Sequence, residues 1–116
     1  MKDRDIQKIR SALNDIYREC NYIVKKLPQL SPEKLNSDED LRKAIERTLE
    51  IIGEAAKRIP KEFRENHSEI PWKEMAGLRD VIIHDYGNID YIILWNVIRF
   101  EIPALKEKIE QLINSL

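Results

Sequence analysis

The chain carries two histidines, and one of them stands five residues after an arginine in the segment Arg79-Asp80-Val81-Ile82-Ile83-His84-Asp85-Tyr86. An imidazole titrates near neutral pH and can give or take a proton at a reacting atom. His84 follows three apolar β-branched residues and stands shortly before Gly87, a natural helix terminator. That places it at the C-terminal end of a buried helix, where the dipole favours a cation by about 0.3–1 kcal/mol. A purely structural histidine closing a helix has the same surroundings, so position alone leaves both roles open. Arg79 offers a rigid fork of N–H donors that suits phosphate oxygens and keeps its charge at every working pH. The plainer role for Arg79 is a surface ion pair with Asp80 or Glu74. Five residues advance about 140° around an ideal helix, so Arg79 and His84 do not share a face of one straight helix. Either the last turn distorts before Gly87, or a working site combines residues from two copies across a two-fold axis.

Other chemistries find less support. There is no His-x-x-x-His pair, and His84-Asp85 has no third ligand close in sequence, so neither a metal nor another cofactor is expected. No Gly-rich phosphate loop occurs, and no serine or cysteine stands in a nucleophile motif. His67 lies in a polar, turn-rich stretch and reads as an exposed loop residue. Trp72 and Trp95 read as core or interface aromatics, and Asn88 and Asp90 as helix caps. With 20 basic and 21 acidic residues the net charge is −1, which excludes bulk electrostatic attraction to nucleic acid. A local patch is conceivable between Arg42 and Arg64, where Arg42, Lys43, Arg47, Lys57, Arg58, Lys61 and Arg64 outnumber the acids. Mixed charge of this kind is more often a solvated helix face.

The elements that must hold these residues are helices. The 116 residues suit one domain, with 42% hydrophobic and 35% charged residues and only 3 glycines. Ile6, Ile9, Leu13, Ile16, Cys20, Ile23 and Leu27 write one stripe on a long first helix, ended around Pro28 and Pro32. A second helix, capped by Ser37 or Asp38, carries Leu41, Ala44, Ile45, Leu49, Ile52, Ala55, Ala56 and Ile59, and stops at Pro60. Gly53 costs that helix about 1 kcal/mol, which close approach of another backbone would offset. A third helix is expected from Pro71 through Met75, Leu78, Ile82 and Ile83, with Gly87 as its stop. A fourth runs from Tyr91 to Phe100, and Pro103 is expected to kink or split the helical pattern that continues to Ile113. The expected fold is all-α: an up-and-down bundle of four to five helices forming a single domain over residues 1–116. Cys20 is alone, the N-terminus is charged, and no run nears the ~20 apolar residues of a membrane span. A reducing, cytoplasmic setting is the expectation.

Arg79-x4-His84-x-Tyr86 at a helix end resembles the HEPN superfamily, and in particular its HepT-like toxins. The likeness extends to Leu49-Glu50-Ile51-Ile52-Gly53-Glu54-Ala55-Ala56-Lys57, Ile70-Pro71-Trp72, Met75-Ala76-Gly77-Leu78-Arg79, Leu94-Trp95 and Ile102-Pro103-Ala104-Leu105, in the same order. The resemblance implies a HEPN-like bundle forming a two-fold homodimer, and a metal-independent endoribonuclease with RNA as substrate. It implies His84 as general acid or base, Arg79 as stabiliser of the scissile phosphate, and a 2′,3′-cyclic phosphate product. Asp80 and Asp85 would support or orient these two. It also implies a toxin–antitoxin pairing with a minimal nucleotidyltransferase (MNT), which would adenylylate Tyr86 and so block the cleft. Many relatives have a polar amide where this chain has Asp80, an acid that could orient Arg79 or weaken its hold on phosphate. The alternative is a non-catalytic subunit of a nucleotidyltransferase complex that binds nucleotide or the partner.

Overall fold

A computed structural model describes residues 2–82 and 90–116. Every regular element among them is helical, as the periodicity demands. Helix α1 spans Asp3–Lys26 and buries Ile9, Ala12, Leu13, Ile16, Cys20 and Ile23. Each such large aliphatic side chain contributes about 1.5–3 kcal/mol when removed from water. A short 3₁₀ turn, Leu27–Gln29, carries Pro28 and ends the helix. A short helix α2 (Pro32–Ser37) follows, and the Ser31 hydroxyl accepts from the Lys34 N–H at 3.0 Å. Helix α3 (Glu39–Lys57) is capped by Asp38, whose carboxylate accepts from the Leu41 N–H at 3.1 Å, with Glu39 and Asp40 in the first turn. Both arrangements satisfy amide groups that a helix start leaves without partners.

Three short helices follow: α4 (Lys61–Asn66), α5 (Trp72–Ala76) and α6 (Leu78–Ile82). The third helix expected from sequence is therefore divided. Gly77, at φ −96° and ψ 9°, separates α5 from α6, and its N–H closes the last turn of α5 onto Lys73 and Met75. Trp72, Met75 and Leu78 still face the core, because each side of the break keeps its own apolar contacts. The expected stop at Gly87 lies outside the described residues.

Helix α7 (Tyr91–Asn96) starts at Asp90, whose carboxylate accepts from the amides of Ile92 and Ile93 at 3.0 Å. A π-helical turn, Val97–Glu101, then leads directly into α8 (Ile102–Ser115). Pro103 does not split this stretch. A proline inside a helix lacks an N–H and crowds the carbonyl four residues earlier, here Arg99. The widened π turn lies over that position and absorbs the conflict.

In the assembled core α1 packs between α3 and α8, while α5 and α6 lie against α3, and α6 also meets α7. Where α3 meets α5 the backbones nearly touch. A Cβ built on Gly53 would stand 3.0 Å from the Met75 carbonyl oxygen and 3.4 Å from that of Ala76. The cost of a glycine within α3 is thus offset by the contact expected from the sequence. Backbone atoms cannot rotate aside, so Gly53→Val must push α5 and α6 outward. We expect a loss of about 1–3 kcal/mol in urea or thermal unfolding, the usual cost of overpacking. A gain in stability, as improved helix propensity alone would give, would contradict this contact.

Candidate functional site

Arg79 belongs to α6, the element that follows the Gly77 break, and its side chain is 67% exposed. Two constraints fix where it emerges. Leu78, buried beside it, ties α6 to the core, and the Gly53 contact sets how closely the α5–α6 junction lies on α3. The result is a shallow recess of about 100 Å³ in which Arg79 and Ala76 face Glu50, Gly53, Glu54 and Lys57 of α3.

Arg79 does not pair with Asp80 or Glu74 among the described residues. Its partner is Glu50, with Nε 4.0 Å from Oε1. The other oxygen of that carboxylate, Oε2, takes Arg47 Nη1 at 3.3 Å, and the same Nη1 lies 3.5 Å from Glu54 Oε1. Glu50 was missed in the sequence reading because that reading sought partners close to Arg79 along the chain. The signal was present only as a helical register: Glu50 and Gly53 stand three residues apart, which puts the carboxylate one turn from the thin face. Asp80 is exposed, and no ion pair joins it to Arg79 among the described residues. His84, Asp85, Tyr86 and Asn88 lie outside the described residues.

The remaining candidates resolve into structural parts. His67 is half-buried at the end of α4, not an exposed loop residue. Its ring lies 4.3 Å from that of Phe63, its Nδ1 is 3.5 Å from Glu69, and its carbonyl accepts from Trp72 Nε1 at 2.9 Å. Trp72 is accordingly a core residue. Trp95 is half-buried, with the Arg99 guanidinium 5.3 Å from its ring centre. Cys20 is buried, and burial, reinforced by Glu19 and opposed by Lys106, pushes its thiol up to about 12. Such a thiol does not supply a thiolate near neutral pH.

The stretch from Arg42 to Arg64 is a solvated face more than a basic patch. Arg42 pairs with Glu46, Lys43 with Glu39, Arg47 with Glu50 and Glu54, Arg58 with Asp15, and Lys61 with Glu65. Apart from the largely buried Arg42–Glu46 pair, these pairs lie at the surface and each contributes little to stability. The recess itself holds Glu50 and Glu54 beside Lys57 and Arg79. Among the described residues no helix is long and apolar enough to cross a membrane.

Comparison with known proteins agrees with the motif. The family model described as "Ribonuclease HepT-like" matches residues 5–112. The chain is 44% identical over 106 residues to "Putative RNase TTE0752" of Caldanaerobacter subterraneus, covering 91% of this chain and 95% of that protein. It is 38% identical over 116 residues to "Putative RNase MJ0125" of Methanocaldococcus jannaschii, covering 100% of this chain and 97% of that one. It is 42% identical over 103 residues to "Probable ribonuclease HepT" of Thermococcus cleftensis, covering 89% and 94%. No solved structure matches it. An all-helical chain that matches the family model over nearly its whole length, with relatives of this identity matched end to end, belongs to the ribonuclease HepT-like family of the HEPN superfamily.

Proposed function

We propose that this chain is a cytoplasmic, metal-independent endoribonuclease toxin, acting as a two-fold homodimer of one HEPN domain spanning residues 1–116. Family membership supports a ribonuclease-type function. The observation that carries the finer reading is the setting of Arg79. It is exposed, at the mouth of a recess, and paired through Nε, the one nitrogen that leaves the terminal Nη fork for a phosphate.

In the proposed reaction His84 takes the proton of the ribose 2′-OH. The 2′-oxygen attacks phosphorus, the bond from phosphorus to the 5′-oxygen breaks, and that oxygen leaves with a proton from an acid. The products are a 2′,3′-cyclic phosphate and a 5′-hydroxyl. Arg79 holds the non-bridging oxygens, whose negative charge grows in the transition state. One imidazole cannot be base and acid in the same step, which favours a cleft with two copies of His84. Ile92 and Phe100, 69% and 60% exposed on the helical stretch just after the motif, support a dimer that covers them. Asp85 would orient His84. Asp80 would tune the field around Arg79.

Tyr86, two residues after His84, is the proposed site at which a minimal nucleotidyltransferase antitoxin attaches AMP. The Tyr86 hydroxyl oxygen would attack the α-phosphorus of ATP with loss of its proton, pyrophosphate would leave, and the resulting phosphodiester would put bulk and negative charge beside His84, blocking entry of another phosphate. The test is RNA cleavage by the purified chain in chelating buffer, alongside His84→Ala and Tyr86→Phe, before and after treatment with such a transferase and ATP. Cleavage lost on labelling in the parent chain, and retained in Tyr86→Phe, is expected. Labelling at Tyr86 by a chain that never cuts RNA would favour the non-catalytic, partner-binding alternative.

A further inference from the structure

The carboxylate that meets Arg79 comes from a helix 29 residues earlier in the chain, and it serves two arginines at once. Oε2 of Glu50 faces Arg47 Nη1 at 3.3 Å and Oε1 faces Arg79 Nε at 4.0 Å. The Glu50 side chain, on α3, is 32% exposed, whereas that of Arg79 is 67% exposed. The better-anchored partner therefore defines where the freer one can be. Arginine presents its donors along two edges, and a carboxylate facing the Nε side leaves the edge formed by Nη1 and Nη2 to other acceptors. A pair through the terminal nitrogens would have occupied the phosphate-binding edge instead.

From this geometry we propose that Glu50 is the positioning residue for Arg79: its carboxylate, 4.0 Å from Nε and beyond hydrogen-bond distance, draws that edge of the guanidinium toward α3 by charge, so that the Nη edge meets the scissile phosphate of RNA. The proposal rests on the ribonuclease reading given above, and it adds a residue outside the Arg79–His84 motif. Arg47 fixes Glu50 from the other side, and the Gly53 contact keeps α6 within reach of α3. Glu50 touches no substrate, and it acts only through Arg79.

Charge and position make opposite predictions for Glu50→Ala. Removal of an acid near a phosphate site raises affinity for a polyanion if only the overall field matters. Loss of positioning lowers kcat, because a displaced Arg79 no longer meets the transition state. We expect kcat to fall about 10- to 100-fold with KM for RNA unchanged or lower, and with an unchanged melting temperature. Glu50→Gln removes the charge that draws Arg79 and should lose as much rate as Glu50→Ala. In the Arg79→Ala background, Glu50→Ala should have no further effect, since the two act as a unit. A second readout needs no activity: the Arg79 Nε–H resonance, assigned by its loss in Arg79→Ala, should show a lower heteronuclear NOE, that is a more mobile guanidinium, in Glu50→Ala. Wild-type rates in Glu50→Ala, additive losses in the double variant, or an unchanged Nε–H signal would overturn the proposal. If the parent chain cuts no RNA, the ribonuclease reading fails, and the Nε–H signal still decides whether Glu50 holds Arg79.

Discussion

Arg79→Ala is expected to lower the rate of RNA cleavage about 10²–10³-fold while the fold is retained, the range found when one donor to a developing oxyanion is removed. The fold should survive because the guanidinium is 67% exposed and its ion pair to Glu50 is long, at 4.0 Å. The loss should fall on kcat more than on KM, since the charge that Arg79 meets is greatest in the transition state. Arg79→Lys is a sharper variant. It keeps the charge but loses both the fork and the Nε edge that Glu50 holds, so it should recover only a small part of the rate. Full activity in Arg79→Lys would mean that a point charge suffices and that the geometry around Glu50 is irrelevant. Steady-state kinetics on a short RNA, with circular dichroism to check folding, decides the matter.

His84→Ala is expected to have the second large effect, a loss of about 10²–10⁴-fold, the span that general acid–base catalysis contributes. The parent chain should give a bell-shaped rate profile in pH if one His84 is the base and its copy the acid. The ascending limb reports the imidazole that must be neutral, and the descending limb the one that must be protonated. His84→Ala should flatten both limbs. Mixing His84→Ala with Arg79→Ala gives a further check of the two-fold arrangement. Heterodimers could recover partial activity only if each copy supplies residues to a shared cleft. Cleavage by His84→Ala within a few-fold of the parent would remove the histidine from the mechanism.

The long helices were legible because their apolar residues recur every three and four positions. The stripe from Ile9 to Ile23 is buried as its spacing requires, and the cost of Gly53 within α3 pointed to the backbone contact that Met75 supplies. Other features were hidden for physical reasons. The apolar rhythm through Met75 and Leu78 runs across Gly77, so periodicity could not reveal the break between α5 and α6. Pro103 announced a disturbance in the last helix, but a π turn leaves no composition signal of its own. His67 looked exposed because its neighbours in sequence are polar. The ring that shelters it, Phe63, lies one helical turn back, and the Trp72 that binds its carbonyl follows five residues later, beyond a turn.

The candidate site divides in the same way. Arg79 and its phosphate-suited fork were readable from residue type and from the motif. Its carboxylate partner was not, because Glu50 and Arg79 meet only through the packing of α6 on α3. Asp80, the adjacent acid, was the obvious candidate and is not that partner among the described residues. Local sequence gives neighbours along the chain, whereas an ion pair between helices depends on tertiary register.

The central claim, a transesterification by protein side chains alone, is tested most directly with one pair of substrates in chelating buffer. One is an RNA oligonucleotide, and the other is identical except for a 2′-deoxy residue at each cleaved position. The account predicts cutting of the first, with 2′,3′-cyclic phosphate and 5′-hydroxyl ends, and no cutting of the second. Cleavage of the deoxy-substituted strand, or activity that appears only when a divalent metal is restored, would contradict it.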